Sequence, residues 1–323
     1  MKVCIFGMGA VGSHLAAGLS DTSVKLSGIA RGEHLQAIQR DGLQFRSQGS
    51  TRQVRLNVTS DPAELGPQEV VIVTLKSYAL AEAAPLIKPL LGARTSIIYA
   101  VNGIPWWYFH KHSGALAERR IPRLDPAGAL WDELGVERAL GMVVYSPNTL
   151  VAPGVVHSGS ASNRFLIGEP GGGISQRLAQ VVDALQPGLP GLAASDNIRQ
   201  PLWQKLLLNV PSALIGCLAQ VAGNDIATQP ELRKLFITIA QEAAQVAARV
   251  GIEVVDDTEQ KLALLAGAGH RSSIVQDLLA GRRIEFDGQI EAVRDIAGEL
   301  AVDLPMIDAL AGLLKHRAGL APA

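Results

Sequence analysis

Residues 1–19 read MKVCIFGMGAVGSHLAAGL, and this stretch decides the fold of the chain. The apolar run Lys2–Phe6 predicts a buried strand, and Ala10–Ser20 predicts the helix that follows it. The three glycines of the intervening GxGxxG motif allow a tight turn, a close approach of backbone to a pyrophosphate, and close helix–strand packing. The start of the helix adds unpaired N–H groups and the positive end of its dipole. We therefore predict a dinucleotide site formed by Gly7, Met8, Gly9, Ala10, Val11 and Gly12.

The alternation of strand and helix continues through the first part of the chain. Apolar runs without polar alternation, typical of strands covered on both faces, recur at Val24–Ala30, Val70–Leu75 and Ser96–Ala100. A helical stretch, Ala79–Leu90, separates the last two runs. This order predicts a Rossmann-type, doubly wound parallel sheet. Short β-like runs between residues 139 and 168, broken by turn-forming residues, predict an antiparallel extension of that sheet.

The chain changes character near residue 196. Beyond it the pattern predicts six helices: Leu202–Ala222, Glu231–Val250, Asp257–Ala266, Ser273–Ala280, Glu285–Leu300 and Met306–His316. The fold class predicted is therefore α/β, with a Rossmann-type N-terminal domain at 1–195 and an all-α C-terminal domain at 196–323. The uncharged stretch Leu206–Asn224 approaches the length of a membrane span. Its polar residues, and the absence of a flanking positive cluster, favour a buried central helix and no membrane partner.

Composition narrows the class of protein. Hydrophobic residues make up 48% of the 323 residues and charged residues 18%, which excludes a disordered chain and suggests about two domains. Lys and Arg number 29 against 30 Asp and Glu, and this near-neutral balance argues against a nucleic-acid partner. Two cysteines are too few for a disulfide framework, which favours a cytoplasmic protein. A homodimer is a possible assembly that the sequence leaves open.

The end of the second predicted strand bears on the choice of dinucleotide. An Asp or Glu there would accept hydrogen bonds from the ribose hydroxyls, but the residue at this place is Arg31. Its guanidinium can hold an adenosine 2′-phosphate through two hydrogen bonds, and a solvated loop arginine is the alternative. We therefore predict NADP(H) as the cofactor. Lys76 and Asn102 follow two further predicted strands at the ligand-binding edge of the sheet, with a solvated cap and a plain turn as the alternatives.

A second group of candidates lies in the helical part. Lys205 and Asn209 are four residues apart in LWQKLLLN and therefore share one face of a helix. A lysine among apolar neighbours either extends to solvent or is held partly buried, and partial burial would lower its pKa toward the range useful for proton transfer. For Ser273 and Glu285, helix capping and surface charge are the simpler interpretations from the residues alone.

Taken in chain order, these motifs resemble the ketopantoate reductase (2-dehydropantoate 2-reductase) family over nearly the whole chain. The most specific elements are a WxKLxxN helix and an SSxxQDxxxGRxxE segment. The resemblance implies that Lys205 is the catalytic lysine, that Glu285 supports it, and that Ser273 holds the substrate carboxylate. It also implies that three residues line the cofactor and substrate cleft between the domains: Lys76, Asn102 and Asn209.

The activity that the resemblance implies is NADPH-dependent reduction of a small 2-keto acid, 2-dehydropantoate to pantoate in pantothenate biosynthesis. The cofactor supplies hydride to the keto carbon, and the lysine stabilises and protonates the alkoxide. The alternatives are a related NADP-dependent reductase of another 2-oxo or 3-hydroxy acid and a non-catalytic NADP-sensing module. A sensor predicts loss of the proton donor, whereas Lys205 and Glu285 are both present.

Two departures from the family pattern concern the substrate. Ala213 stands where a second asparagine is often found on the lysine helix, which predicts an apolar site for the substrate tail. The alternative is that Ser212 or the long segment around Trp106–Phe109 supplies a polar contact. Downstream of Asp287, the expected Asn-Gly is replaced by Ile290-Glu291.

The segment that begins IPWWYFHKHSG is longer than a plain family turn. Its aromatic residues, Trp106–Phe109, either wall the cleft or anchor the insertion. Its histidines, His110 and His112, have no third ligand in view, so no metal site is predicted.

Overall fold

A computed structural model describes residues 1–160, 162–267, 269 and 271–320. The chain forms two compact units. The first comprises Met1–Val101 and Pro105–Ile198, and the second comprises Asn102–Ile104 together with the chain from Arg199 onward. The division therefore falls after Ile198 rather than after residue 195. The short segment Asn102–Ile104 belongs to the helical unit although it lies within the sequence of the first.

The first unit contains all the strands that the structure describes, together with four α-helices. The helices are α1 (Ala10–Leu19), α2 (Gly32–Asp41), α3 (Leu80–Ile87) and α4 (Gln176–Leu185). The strands are β1 (Lys2–Phe6), β2 (Lys25–Ile29), β3 (Leu43–Ser47), β4 (Ser50–Val54), β5 (Asn57–Thr59), β6 (Gln68–Val73), β7 (Leu91–Tyr99), β8 (Ala139–Tyr145), β9 (Asn148–Ala152), β10 (Val155–Ser158), β11 (Arg164–Gly168) and β12 (Leu192–Ala194).

The main sheet has eight strands in the order β12-β11-β8-β7-β6-β1-β2-β5. Strand β1 pairs in parallel with β2 and β6, and the parallel pairing continues to β7 and β8. Most of the apolar side chains in these strands are buried, as expected for a sheet covered on both faces. The predicted fold class, a doubly wound α/β domain with a helical C-terminal part, is confirmed.

The expected antiparallel extension of the sheet is only partly correct. Strand β11 does run antiparallel to β8, but β8 itself is parallel to β7. Strands β9 and β10 leave the main sheet and form a second sheet of order β4-β3-β10-β9. This second sheet was not predicted, because its strands are short and largely polar, and the side chains of β9 are exposed along most of its length.

The described part of the second unit is helical. Its helices are α5 (Arg199–Ala219), α6 (Gly223–Thr228), α7 (Pro230–Arg249), α8 (Thr258–Ala266), α9 (Ser273–Leu279), α10 (Ala292–Glu299) and α11 (Pro305–Arg317). The predicted helix Glu285–Leu300 is instead a π-helical turn, Asp287–Glu291, followed by α10. Helix α5 is long and apolar enough to cross a bilayer, but most of it is buried against the other helices of its unit. It therefore forms the core of the helical unit, as the sequence predicted.

Candidate active site

The glycine motif forms a turn between β1 and α1 that fits a dinucleotide. Gly7 has a φ of +106°, which favours glycine, and a Cβ added at Gly12 would overlap the carbonyl oxygen of Gly7. Nothing lies within 4 Å of a Cβ built on Gly9, so the backbone there is open to a ligand. Helix α1 has no side-chain cap and no acidic residue in its first turn, which leaves its N–H groups suited to a phosphate.

Two residues outside the motif hold this turn in place. The Thr74 hydroxyl, directly after β6, donates to the carbonyl oxygen of Gly7. The Met8 side chain is buried against β2, where a Cβ added at Gly28 would lie 2.8 Å from its sulfur. Of the predicted cofactor residues, Met8 thus turns its side chain inward and can offer only backbone. Sequence reasoning missed the role of Thr74, although it lies in the TLK motif.

Arg31 and Lys76 lie at the same edge of the sheet as the glycine turn. Strands β2, β1 and β6 are parallel neighbours, and the two cations follow the carboxyl ends of β2 and β6. Arg31 is exposed and directly precedes α2. Glu33, in the first turn of α2, is a nearby carboxylate that sequence reasoning overlooked.

In the second unit, three predicted residues form a hydrogen-bonded chain. The Lys205 ammonium donates to Oδ1 of Asn102 over 2.7 Å, and Nδ2 of Asn102 faces Oε2 of Glu285 at 3.4 Å. The amide therefore presents its oxygen to the cation and its N–H to the carboxylate. Asn102 thus joins the two predicted catalytic residues, which is a more specific arrangement than the general lining role that the resemblance implied.

The surroundings of Lys205 adjust its proton affinity. Burial lowers the pKa of Lys205 to about 8, and the nearby Glu285 charge opposes that shift. Glu285 is itself only 3% exposed, so its attraction to the ammonium acts through a medium of reduced dielectric. Lys205 is therefore mostly protonated at neutral pH, yet its pKa is close enough to neutrality for it to act as a proton donor.

The turn that carries Asn102 is fixed by a close backbone contact. Gly103 has a φ of +86°, and a Cβ added to it would overlap the backbone of Gly288. The Ile104 N–H donates to the carbonyl oxygen of Gly288 over 2.8 Å. The Asn-Gly pair therefore does more than form a turn, because its glycine lets the chain pack directly against the π-helical turn that follows Glu285. Gly288 was missed from sequence, where the only signal was a glycine inside a helical pattern.

Asn209 and Ser273 lie outside this hydrogen-bonded chain. Asn209 is half-buried one turn after Lys205 on α5, and Ser273 is the exposed first residue of α9. The interpretation of Ser273 as a helix cap is wrong, because Ser272 occupies the N-cap position. Asn209 is half-buried and Ser273 is exposed, so neither side chain is closed off from a ligand.

The aromatic insertion has a structural role. The residues of Trp106–Phe109 are at most 2% exposed, so they anchor the insertion and do not present a wall to a ligand. Trp106 packs edge-to-face on Tyr99 and Trp131, with ring centroids 5.3 and 6.0 Å apart. His110 pairs with Glu118 at 2.8 Å, and the described residues include no group of three metal-ligating side chains.

Comparison with known proteins places both units in one family. The family described as Ketopantoate reductase PanE/ApbA matches residues 3–171, and its C-terminal counterpart matches residues 197–318. A 2-dehydropantoate 2-reductase from Mesorhizobium japonicum is 34% identical over 320 residues, which cover 98% of each chain. The 2-dehydropantoate 2-reductase structure from Geobacter metallireducens superposes with a TM-score of 0.85 at 24% identity, covering 98% of this chain and 99% of that one.

A related fold also occurs in a D-mandelate dehydrogenase solved with NADH and anilino(oxo)acetate. It superposes with a TM-score of 0.82 at 23% identity and covers 99% of both chains, a similarity that shows the fold alone. The family matches extend over most of both units, and the 34% identical relative spans nearly the whole sequence. This chain belongs to the ketopantoate reductase family.

Proposed function

We propose that this protein catalyses the NADPH-dependent reduction of 2-dehydropantoate to pantoate, a step of pantothenate biosynthesis. The observation that carries the proposal is the chain formed by Lys205, Asn102 and Glu285. It holds the protonated amine of Lys205, whose pKa is lowered, near the buried carboxylate of Glu285. A protonated amine in such a place can protonate an oxyanion. The name of the Mesorhizobium japonicum relative supports the same substrate.

The proposed reaction divides the work among the residues of the helical unit. Ser273 and Asn209 bind the 2-keto acid, Ser273 through the carboxylate, because neither side chain is closed off from a ligand. The Lys205 ammonium hydrogen-bonds to the keto oxygen, stabilises the negative charge that develops there and then donates its proton to that oxygen. Asn102 and Glu285 keep the ammonium oriented and charged. Bound NADPH would supply the hydride that the keto carbon receives.

The cofactor proposal is supported by residues of the first unit. The backbone of Gly7, Gly9 and Gly12 would receive the pyrophosphate, and the exposed Arg31 would pair with the adenosine 2′-phosphate. Lys76 would add positive charge at the same edge. Glu33 opposes a 2′-phosphate here, because its carboxylate lies two residues beyond Arg31 in the sequence.

The proposal also covers the cellular compartment and the oligomeric state. Both cysteines are buried and free, which is compatible with the reducing cytoplasm. A homodimer is proposed as one assembly to test by sedimentation. Neither nucleic acid nor a membrane is proposed as a partner.

The deciding experiment is an NADPH-oxidation assay with a panel of acids. The panel contains 2-dehydropantoate, pyruvate, 2-oxoisovalerate and phenylglyoxylate, each measured with NADPH and with NADH. We expect the highest kcat/KM for 2-dehydropantoate with NADPH. Faster turnover of another acid would assign a different substrate, and tight NADPH binding without turnover of any acid would favour a sensor.

A further inference from the structure

Helix α5 carries four residues along one stripe. Lys205, Asn209, Ser212 and Gly216 follow at intervals of four, three and four positions, which is the spacing of a single helix face. At about 100° per residue, Ser212 lies only about 20° from the direction of Lys205, whereas Ala213 lies about 80° away. The side chain aligned with the proposed catalytic face is therefore the Ser212 hydroxymethyl group, not the Ala213 methyl group.

The Ser212 hydroxyl is buried without a hydrogen-bond partner among the residues that the structure describes. The residue is only 7% exposed. A serine inside a helix ordinarily donates to a backbone carbonyl three or four positions earlier, and Ser212 does not do so. Because buried hydroxyls are nearly always paired, an unpaired one on this face points to a partner that arrives with the ligand.

A second buried hydroxyl without a described partner, that of Ser272, lies at the start of α9, the helix that packs against this stripe. A Cβ added at Gly216 would lie 2.8 Å from the Val275 side chain, so α5 and α9 meet closely at this point. Ser272 is the N-cap of α9, yet its hydroxyl caps nothing and is buried without a partner among the described residues. The next residue is Ser273, the proposed carboxylate ligand, so both unpaired hydroxyls are neighbours of proposed substrate residues.

We propose that Ser212, supported by Ser272, is a specificity determinant that binds a hydroxyl group on the tail of the 2-keto acid. The inference rests on the proposed function and adds the residues that recognise the tail hydroxyl of its substrate. It also replaces the expectation from Ala213 that the tail site is apolar. Ala213 is 1% exposed and lies off the stripe, so its methyl group packs within the unit.

The test compares two substrates that differ by one hydroxyl group. These are 2-dehydropantoate and 3,3-dimethyl-2-oxobutanoate, the same 2-keto acid without the 4-hydroxyl. We expect the unmodified enzyme to favour the hydroxylated acid by about 10²-fold or more in kcat/KM, because a site with polar groups rejects the analogue that leaves them unpaired. Ser212→Ala should reduce that ratio at least about tenfold, almost entirely through the hydroxylated acid.

Two controls separate tail recognition from other effects. Ser273→Ala should lower kcat/KM for both acids alike and leave their ratio unchanged, because both carry the carboxylate. The melting temperature of ligand-free Ser212→Ala should equal or exceed that of the unmodified protein, since the hydroxyl makes no bond in the free state. If Ser212→Ala does not fold, Ser272→Ala provides the same comparison from the facing helix.

The outcomes distinguish the inference from the function on which it rests. An unchanged ratio in both serine variants, or equal efficiency toward the two acids in the unmodified enzyme, would overturn the inference and leave the reductase function standing. Turnover of neither acid with either nicotinamide cofactor would contradict the proposed function, and the inference would fall with it.

Discussion

Lys205 is a cation with apolar neighbours on α5, and its ammonium donates a hydrogen bond to the Asn102 amide oxygen. Removal of this ammonium takes away the charge that would stabilise the oxyanion. We expect Lys205→Ala to lower kcat by roughly 10²–10⁴-fold while the Kd for NADPH, measured by fluorescence titration, is unchanged. An unchanged kcat with weakened NADPH binding would make Lys205 a cofactor contact instead.

The pH dependence of the reaction follows from the lowered pKa of Lys205. In the proposed mechanism reduction needs the protonated amine, so kcat should fall as pH rises through about 8, and oxidation of the product should rise over the same range. The Glu285 charge raises the Lys205 pKa, so Glu285→Gln should move the fall in kcat to lower pH. Lys205→Arg is the control, because its residual activity should show no such fall. A midpoint that stays in place in Glu285→Gln would refute the electrostatic role.

The proposed preference for NADPH rests on Arg31. One charged contact of this kind is worth about 1.5–3 kcal/mol. We therefore expect Arg31→Ala to raise the KM for NADPH by roughly 10-fold to 10²-fold and to leave the KM for NADH nearly unchanged. Equal changes for both cofactors would remove the 2′-phosphate assignment. Glu33→Gln is a useful companion, since loss of a nearby negative charge should lower the KM for NADPH.

The sequence suggests most of these residues as site candidates, but it does not predict which of them contact one another. Lys205 and Glu285 were proposed as catalytic residues from family resemblance, because their local motifs are specific. The bridge through Asn102 could not be predicted, since Asn102 lies 103 positions before Lys205 and 183 before Glu285. Local spacing carries no information about contacts of that range.

At the scale of elements, strands buried on both faces were the easiest to predict. The bounds of β1 agree residue by residue with the apolar run. Every position from Val3 to Phe6 is buried, so no polar residue interrupts the pattern there. Strands β3 and β4 were missed for the opposite reason. β4 is mostly exposed and polar, and β3 mixes Leu43 and Phe45 with polar residues, so neither shows a clear apolar run, and only pairing with β10 and with each other makes them a sheet.

The turn around Gly103 permits a test of how an element positions a side chain. Gly103→Ala must adopt a left-handed backbone and displace Gly288, so we expect it to lower the free energy of unfolding by about 1–3 kcal/mol or more. Because Asn102 moves with the turn, kcat should fall at least about tenfold. Urea unfolding and steady-state kinetics measure the two effects.

Gly251 provides a matched control in the same unit. Its φ of +76° is also left-handed, but nothing lies within 4 Å of a Cβ built there. Gly251→Ala should therefore cost about 1–2 kcal/mol of backbone strain and leave kcat unchanged. If both variants kept full kcat, close packing of the turn on Gly288 would have no part in catalysis.

On the scale of the whole molecule, each unit contains one buried cysteine. Cys4 lies in β1 and Cys217 in α5, both 0% exposed, and burial raises the pKa of each thiol to about 12. Neither thiol should react with iodoacetamide in the native protein. Pulse labelling across a urea series, read by mass spectrometry, therefore reports the unfolding of each unit separately.

Cofactor binding should change the urea concentration at which Cys4 becomes labelled. NADPH at 100 times its Kd stabilises the state that binds it by about 2.7 kcal/mol, so labelling of Cys4 should require more urea when NADPH is present. Arg31→Ala should reduce that protection at the same NADPH concentration. Labelling of Cys4 at an unchanged urea concentration would show that the first unit does not hold the cofactor.

The segment Asn102–Ile104 makes the helical unit discontinuous in sequence, and this has a consequence for synthesis and for recombination. As the chain leaves the ribosome, the segment is made long before Lys205, Glu285 and Gly288, the residues that it contacts. The proposed proton-donating group therefore forms only near the end of translation, after closure of a loop of 183 residues. A helical unit moved by gene fusion from residue 199 onward would carry the lysine and glutamate but leave their connecting amide behind. A transplant of this helical unit must transfer the three-residue segment as well.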